Sequence, residues 1–150
     1  MAQLQRYCLT FAAVLAAAGL TGGLQPAQTA AVEVNLSDQF GSFRVVNTGP
    51  GISLKSEVEV ERQVDGKWQN ARVSNLLLVR SCQEKAAQKC IQLAARATLQ
   101  PPPWRGTYCY SQCPISCDLD GPLPAGTYRF AITSCDGKHR FLSASFQKKE

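Results

Sequence analysis

The clearest alternation of apolar and polar positions lies near the C-terminus. Tyr128, Phe130 and Ile132 alternate with Thr127, Arg129, Ala131 and Thr133, which predicts a strand with one oily face and one wetter face. Asp136-Gly137 follows, a pair suited to the positive-φ turn of a hairpin, and His139 to Phe146 predicts the antiparallel return arm. A second amphipathic strand is predicted upstream. Ile52, Leu54, Val58, Val60 and Val64 share one parity, and Lys55, Glu57, Glu59 and Glu61 share the other, so one face is core and one is water. Asp65-Gly66 turns that strand back, and the loop length decides where Trp68 points. A three-residue loop ending at Gly66 sets Trp68 opposite Arg62 on the valine face, whereas a two-residue loop sends it to the acidic face. The first is preferred, because an indole buries much apolar area and its N–H still reaches a rim partner.

The same pattern organises the rest of the chain. Val32 to Leu36 and Phe43 to Val46 predict two short strands around Gly41, and Thr48-Gly-Pro-Gly51 breaks the run that follows. Asn75-Leu-Leu-Leu-Val-Arg80 is a continuous apolar run of strand length, as expected of a central strand covered on both sides. Gln83 to Lys89 is polar and predicts a loop. Ile91 to Ala94 and Ala97 to Leu99 predict another strand or a pair of short ones. Pro101, Pro102 and Pro103 predict an extended surface crossover, since prolines donate nothing to a sheet. Trp104 to Gly121 is an irregular loop dense in cysteine and aromatic residues. The expectation is an all-β module.

The N-terminus changes where that module is placed. Met1 to Arg6 carries one positive charge and no acid, Tyr7 to Leu20 is apolar and Ala-rich, and small residues stand at Thr29, Ala30 and Ala31. This layout predicts a secretory signal peptide over 1–31 and a domain over 32–150, exported to the periplasm or the exterior. The apolar run is shorter than the roughly 20 residues that span a bilayer, so no membrane anchor is expected. Gln5, Arg6 and Tyr7 do not form the small apolar set that precedes a lipidated cysteine, which leaves Cys8 without a lipid.

Removing that leader takes away Cys8 and leaves Cys82, Cys90, Cys109, Cys113, Cys117 and Cys135. An even set in a short exported chain predicts disulfides throughout, with fifteen pairings open. The short spacing of Cys82 and Cys90 favours a local bond there, with the remaining four pairing among themselves to clamp a loop onto the C-terminal hairpin. The regular spacing of Cys109, Cys113 and Cys117 invites a metal or cluster reading. Pro114 disrupts the helix that reading needs, and the oxidising compartment favours disulfides, so no cofactor or metal is expected.

The whole chain has a formal charge of +5, which falls to +4 without Arg6, and its basic residues are scattered. That distribution lacks the basic stripe of a nucleic-acid binder. Hydrolytic chemistry is hard to assemble, because the sole histidine, His139, flanks a turn between Lys138 and Arg140. Asp118 and Asp120 are the remaining candidate acids for a small hydrolase, or calcium ligands, against the simpler reading of a turn before Pro122. A surface is the other candidate. Trp104, Arg105, Tyr108 and Tyr110 follow the prolines and suit an aromatic platform for a protein or glycan partner, against the alternative that Trp104 tucks onto the core.

Leu123-Pro-Ala-Gly-Thr-Tyr128-Arg-Phe130 resembles the tyrosine-corner region of immunoglobulin-like and fibronectin-III-like sandwiches. The resemblance implies a single antiparallel β-sandwich of about seven strands, and a Tyr128 hydroxyl that bonds back to the corner. Fold alone does not set function. The expected role is non-catalytic, binding or structural. The alternatives are an inhibitor of an extracellular hydrolase presenting the 104–117 loop, and a small hydrolase using Asp118 or Asp120. The oligomeric state stays open.

Overall fold

A computed structural model describes residues 31–79, 89–110, 117 and 119–150. Its strands are β1 (Val32–Leu36), β2 (Phe43–Asn47), β3 (Ile52–Lys55), β4 (Glu59–Val64), β5 (Lys67–Asn70), β6 (Cys90–Leu93), β7 (Thr98–Leu99), β8 (Gly126–Thr133), β9 (Arg140–Leu142) and β10 (Phe146–Lys148). The all-β expectation holds for the described residues. The architecture is more divided than one pair of layers: the strands fall into a three-stranded sheet β1-β2-β7, a five-stranded sheet β10-β8-β4-β5 with β9 also on β8, and a two-stranded ribbon β3-β6. All strand pairings within the sheets are antiparallel.

The single strand expected from Ile52 to Val64 is in fact two. Its valine parity survives, since Leu54, Val58 and Val60 are all buried, but the chain changes partners at Ser56. The Ser56 amide donates to the Lys89 carbonyl and the Ser56 carbonyl accepts from Leu78. Before that point the chain pairs with β6; after it, β4 pairs with β5 and β8. The periodicity reports which side faces the core, and it is blind to a change of neighbour along the same edge.

Trp68 is also placed differently from expectation. Val64 pairs with Lys67 and Gln63 with Trp68, so the loop is the two residues Asp65 and Gly66, both at positive φ (50° and 77°). This is the mirror-image turn whose twist matches the strands. The register puts Trp68 on the acidic face with Glu61 and Gln63.

Asn75 to Val79 does not form the central strand expected there. Asn75 has φ of 60°, and the segment meets its neighbours through isolated bridges, Glu57 with Leu77 and Ser74 with Cys109. Leu76 and Leu78 are buried while Val79 is 44% exposed, so the run lines one edge of the core. Arg80 lies outside the described residues.

The C-terminal hairpin forms as expected, with one irregularity. Ala131 pairs with Leu142 and Ile132 with Phe141, whereas Tyr128 pairs with Phe146. The returning arm therefore carries one extra residue between β9 and β10, a β-bulge. Ser143 borders it. The Phe130 amide donates to the Ser143 hydroxyl at 2.9 Å, and the Ser143 amide returns a bond to the Phe130 carbonyl at 3.0 Å. Ser143 also bridges Val34 of β1 in parallel, which joins the β1-β2-β7 sheet to the larger one.

Between the sheets lies an aromatic core. Phe43 stacks on Phe130 at 4.3 Å, and Phe146 lies 4.9 Å from Phe130. Asn47, fully buried, satisfies its amide on the carbonyls of Pro50, Leu93 and Ala94, and its side-chain oxygen accepts the Gly49 amide. It ties β2 to the end of β6. Gly41 is needed at its turn: φ is +70°, and a Cβ there would overlap the Trp104 carbonyl.

Candidate binding surfaces

The loop expected to present an aromatic platform is sewn down along its described part. Ser74 donates to the Tyr108 carbonyl and accepts from the Tyr110 amide, while Tyr108 donates to Gly121 and Leu123 to Gly106. Residues 106–110 are thus flanked by paired backbone on both sides. Trp104 is 1% exposed. Its ring sits 5.6 Å from Tyr128 and 6.1 Å from Phe130, and its indole N–H donates to the Thr107 carbonyl at 2.9 Å. The four platform residues are not brought to one surface: Trp104 and Tyr110 are buried, Tyr108 is half-buried and only Arg105 is fully exposed.

The disulfides correct the expected local pairing. Cys90 bonds Cys135, not Cys82, and Cys109 bonds Cys117. Cys90 opens β6 and Cys135 follows β8, so the first bond ties the β3-β6 ribbon to the C-terminal hairpin. The Cys135 amide donates to the Ser53 carbonyl beside it. Cys82 and Cys113 lie outside the described residues, as do Asp118 and most of the polar loop from Gln83 to Lys89. Asp120 is exposed and its carboxylate accepts the Gly121 amide at 2.7 Å, a turn geometry.

His139 stacks beside Phe141, with ring centroids 6.2 Å apart. At the neighbouring turn the Ser134 hydroxyl and the Lys138 amide both donate to Asp136. Those bonds, the Ser134 one foremost, hold the Asp136 carboxyl below its ordinary value. This is a turn-locking device. Among the described residues no group of three or more His, Cys, Asp or Glu side chains is placed to hold a metal.

A surface the sequence did not single out is the water-facing side of β5-β4-β8-β9. Arg129 lies over the Trp68 ring, 4.1 Å from its centroid, and donates to Glu61 at 2.6 Å. Arg140 bridges Glu59 at 2.8 Å and Glu61 at 3.1 Å. The chain of contacts Trp68, Arg129, Glu61, Arg140, Glu59 crosses four strands. Leu142, on the same face opposite Ala131, is 43% exposed. The acidic parity of the predicted strand was the available signal, and it was hidden only because Trp68 was assigned to the other side.

On the inner side, Tyr128 is buried at the edge of the core and its hydroxyl donates to the Pro124 carbonyl at 2.6 Å. Burial raises its pKa above the ordinary 10.0, offset in part by Arg62 and reinforced by Tyr108. The phenol stays a donor. Among the described residues no helix is long and apolar enough to cross a membrane. No protein-family model matches the chain, and no curated protein or solved structure matches it either.

Proposed function

We propose that this is an exported, disulfide-closed β module with a non-catalytic binding role, and that the outer face of β5-β4-β8-β9 is its contact surface for a protein partner. The carrying observation is the placement of Trp68. A tryptophan kept out of the core forgoes apolar burial, yet here it is held flat by Arg129 in line with Arg140 and Leu142. Tryptophan and arginine are the residue types that dominate protein contact energies when pre-ordered. The ion pairs balance each other, so the face suits a partner of mixed charge. Disulfides on both sides of β8 agree with an oxidising compartment. The Tyr128 to Pro124 bond supports reading the two larger sheets as layers of an immunoglobulin-like sandwich.

Photo-crosslinking residues at Gln63 or Asn70, both exposed on the Trp68 face, test this against one at Arg44, exposed on β2. In the exporting cell, adducts are expected from the first two positions alone. They should fall by about tenfold or more in Trp68→Ala, as for a hot-spot residue. Equal adducts from Arg44, or adducts indifferent to Trp68→Ala, would sink the proposal.

A further inference from the structure

β4 carries a second arginine, on the side opposite Trp68. Arg62 shares the parity of Val60 and lies across from Tyr128 on β8. It therefore points toward the inner side, past the end of the aromatic core. Its Nη2 donates to the Ala125 carbonyl at 3.1 Å. Its Nε is buried and has no acceptor. Gly126 makes room for it, since a Cβ at that residue would lie 3.1 Å from Nε. The contrast with the outer face is sharp. Arg129 and Arg140 are both paired with glutamates, whereas no carboxylate among the described residues pairs with Arg62.

A half-buried guanidinium without a counter-charge is an expensive arrangement. The residue nevertheless has a fixed pose, anchored at one end by a carbonyl and laid against a glycine. A planar fork held in place is the geometry that accepts a carboxylate through two parallel bonds. The neighbouring Tyr128 hydroxyl is committed to Pro124, so Arg62 supplies the recognising group. One positive charge matches a carboxylate better than a doubly charged phosphate. We infer that Arg62 is a recognition site for a carboxylate, on the opposite side of β4 from the Trp68 face and independent of it.

The arginine Nε–H resonances of the ¹⁵N-labelled, oxidised protein test this directly. Acetate, a short N-acetylated peptide with no charged side chains and a free C-terminus, the same peptide amidated, and inorganic phosphate are titrated at constant ionic strength against chloride. The Arg62 signal is expected to move saturably with acetate and the acid peptide and not with the amide, while the Arg129 and Arg140 signals stay in place. Tighter binding of the acid peptide than of acetate identifies a chain terminus as the natural ligand class, and equal binding identifies a small free carboxylate. Arg62→Lys keeps the charge and loses the fork, and should weaken binding by at least about tenfold. The inference is overturned by the absence of a saturable shift, by a phosphate or chloride response equal to that of the carboxylates, or by unchanged affinity in Arg62→Lys. None of these outcomes bears on crosslinking at the Trp68 face.

Discussion

The two tryptophans make opposite predictions about stability. Trp104 is 1% exposed, in contact with the rings of Phe40, Tyr128, Phe130 and Phe146, and its N–H is bonded to Thr107. Truncation to alanine loses the buried ring and leaves a cavity, a cost of about 3–5 kcal/mol. The lost hydrogen bond adds about 1 kcal/mol. Trp68 is half-buried on a water-facing sheet surface, and its main specific contact is Arg129. Losing an exposed cation–π contact costs about 0.5–1 kcal/mol, so Trp68→Ala should cost roughly 1–2 kcal/mol with its partial burial included. Urea unfolding of each oxidised variant, followed by far-UV circular dichroism because each substitution removes one of the two indole fluorophores and leaves a different one to report, measures the difference. With a slope of about 1–3 kcal/mol per molar urea, the two midpoints should lie on the order of 1 M or more apart. Should Trp104→Ala fail to fold, Trp104→Phe keeps a ring and tests the same site at an expected cost of about 1–3 kcal/mol. Equal costs at the two positions, or a cost under about 1 kcal/mol for Trp104→Ala, would refute the assignment of Trp104 to the core and Trp68 to the surface.

The buried phenol and the disulfides supply two further predictions. Because the folded Tyr128 pKa lies above the unfolded value of 10.0, the unfolded chain gives up its proton first as pH rises. Stability from this group is therefore present below pH 10 and lost above it; Tyr128→Phe should cost about 1 kcal/mol at neutral pH and flatten the alkaline fall, and an unchanged alkaline slope would contradict the burial argument. Cys90 and Cys135 are separated by 45 residues and Cys109 and Cys117 by 8, so loop-closure entropy assigns about 4 and 2.5 kcal/mol to them respectively; paired Cys→Ala variants in urea should preserve that order, and a reversed order would mean that native-state packing dominates chain entropy.

Much of the fold was legible because short-range chemistry decides it. The alternation around Tyr128 and Phe130 and the Asp136-Gly137 turn place β8 and its return arm with little outside help. The failures occur where tertiary partners decide. A turn containing Asp65-Gly66 is compatible with either register, and burial of the indole was the wrong criterion, because Arg129 on a distant strand supplies Trp68 with a partner on the other face. Cys90 finds Cys135 because β3 leads the ribbon to the end of β8, a proximity invisible in cysteine spacing. Ser143 carries no special signal in the sequence, yet it borders a register shift and joins two sheets. The aromatic run from Trp104 to Tyr110 was conspicuous for composition, and its strongest member is used for packing. Arg62 sits at a valine-parity position and so announces an oddity, although its lack of a carboxylate among the described residues is visible only in three dimensions.

The central place of β8 has a consequence for how the chain is made. This strand pairs with β4, β9 and β10, and the residue after it meets β3, yet it begins only at Gly126. Until the ribosome has passed that point, β4 and β5 are a lone hairpin, which is marginal in water. Its valine side then lacks the aromatic residues of β8, Tyr128 and Phe130, that share its core. Completion of the five-stranded sheet therefore waits for β8. A chain truncated before β8 would leave the sheet-forming segments open to one another across different molecules, the situation that leads to aggregation.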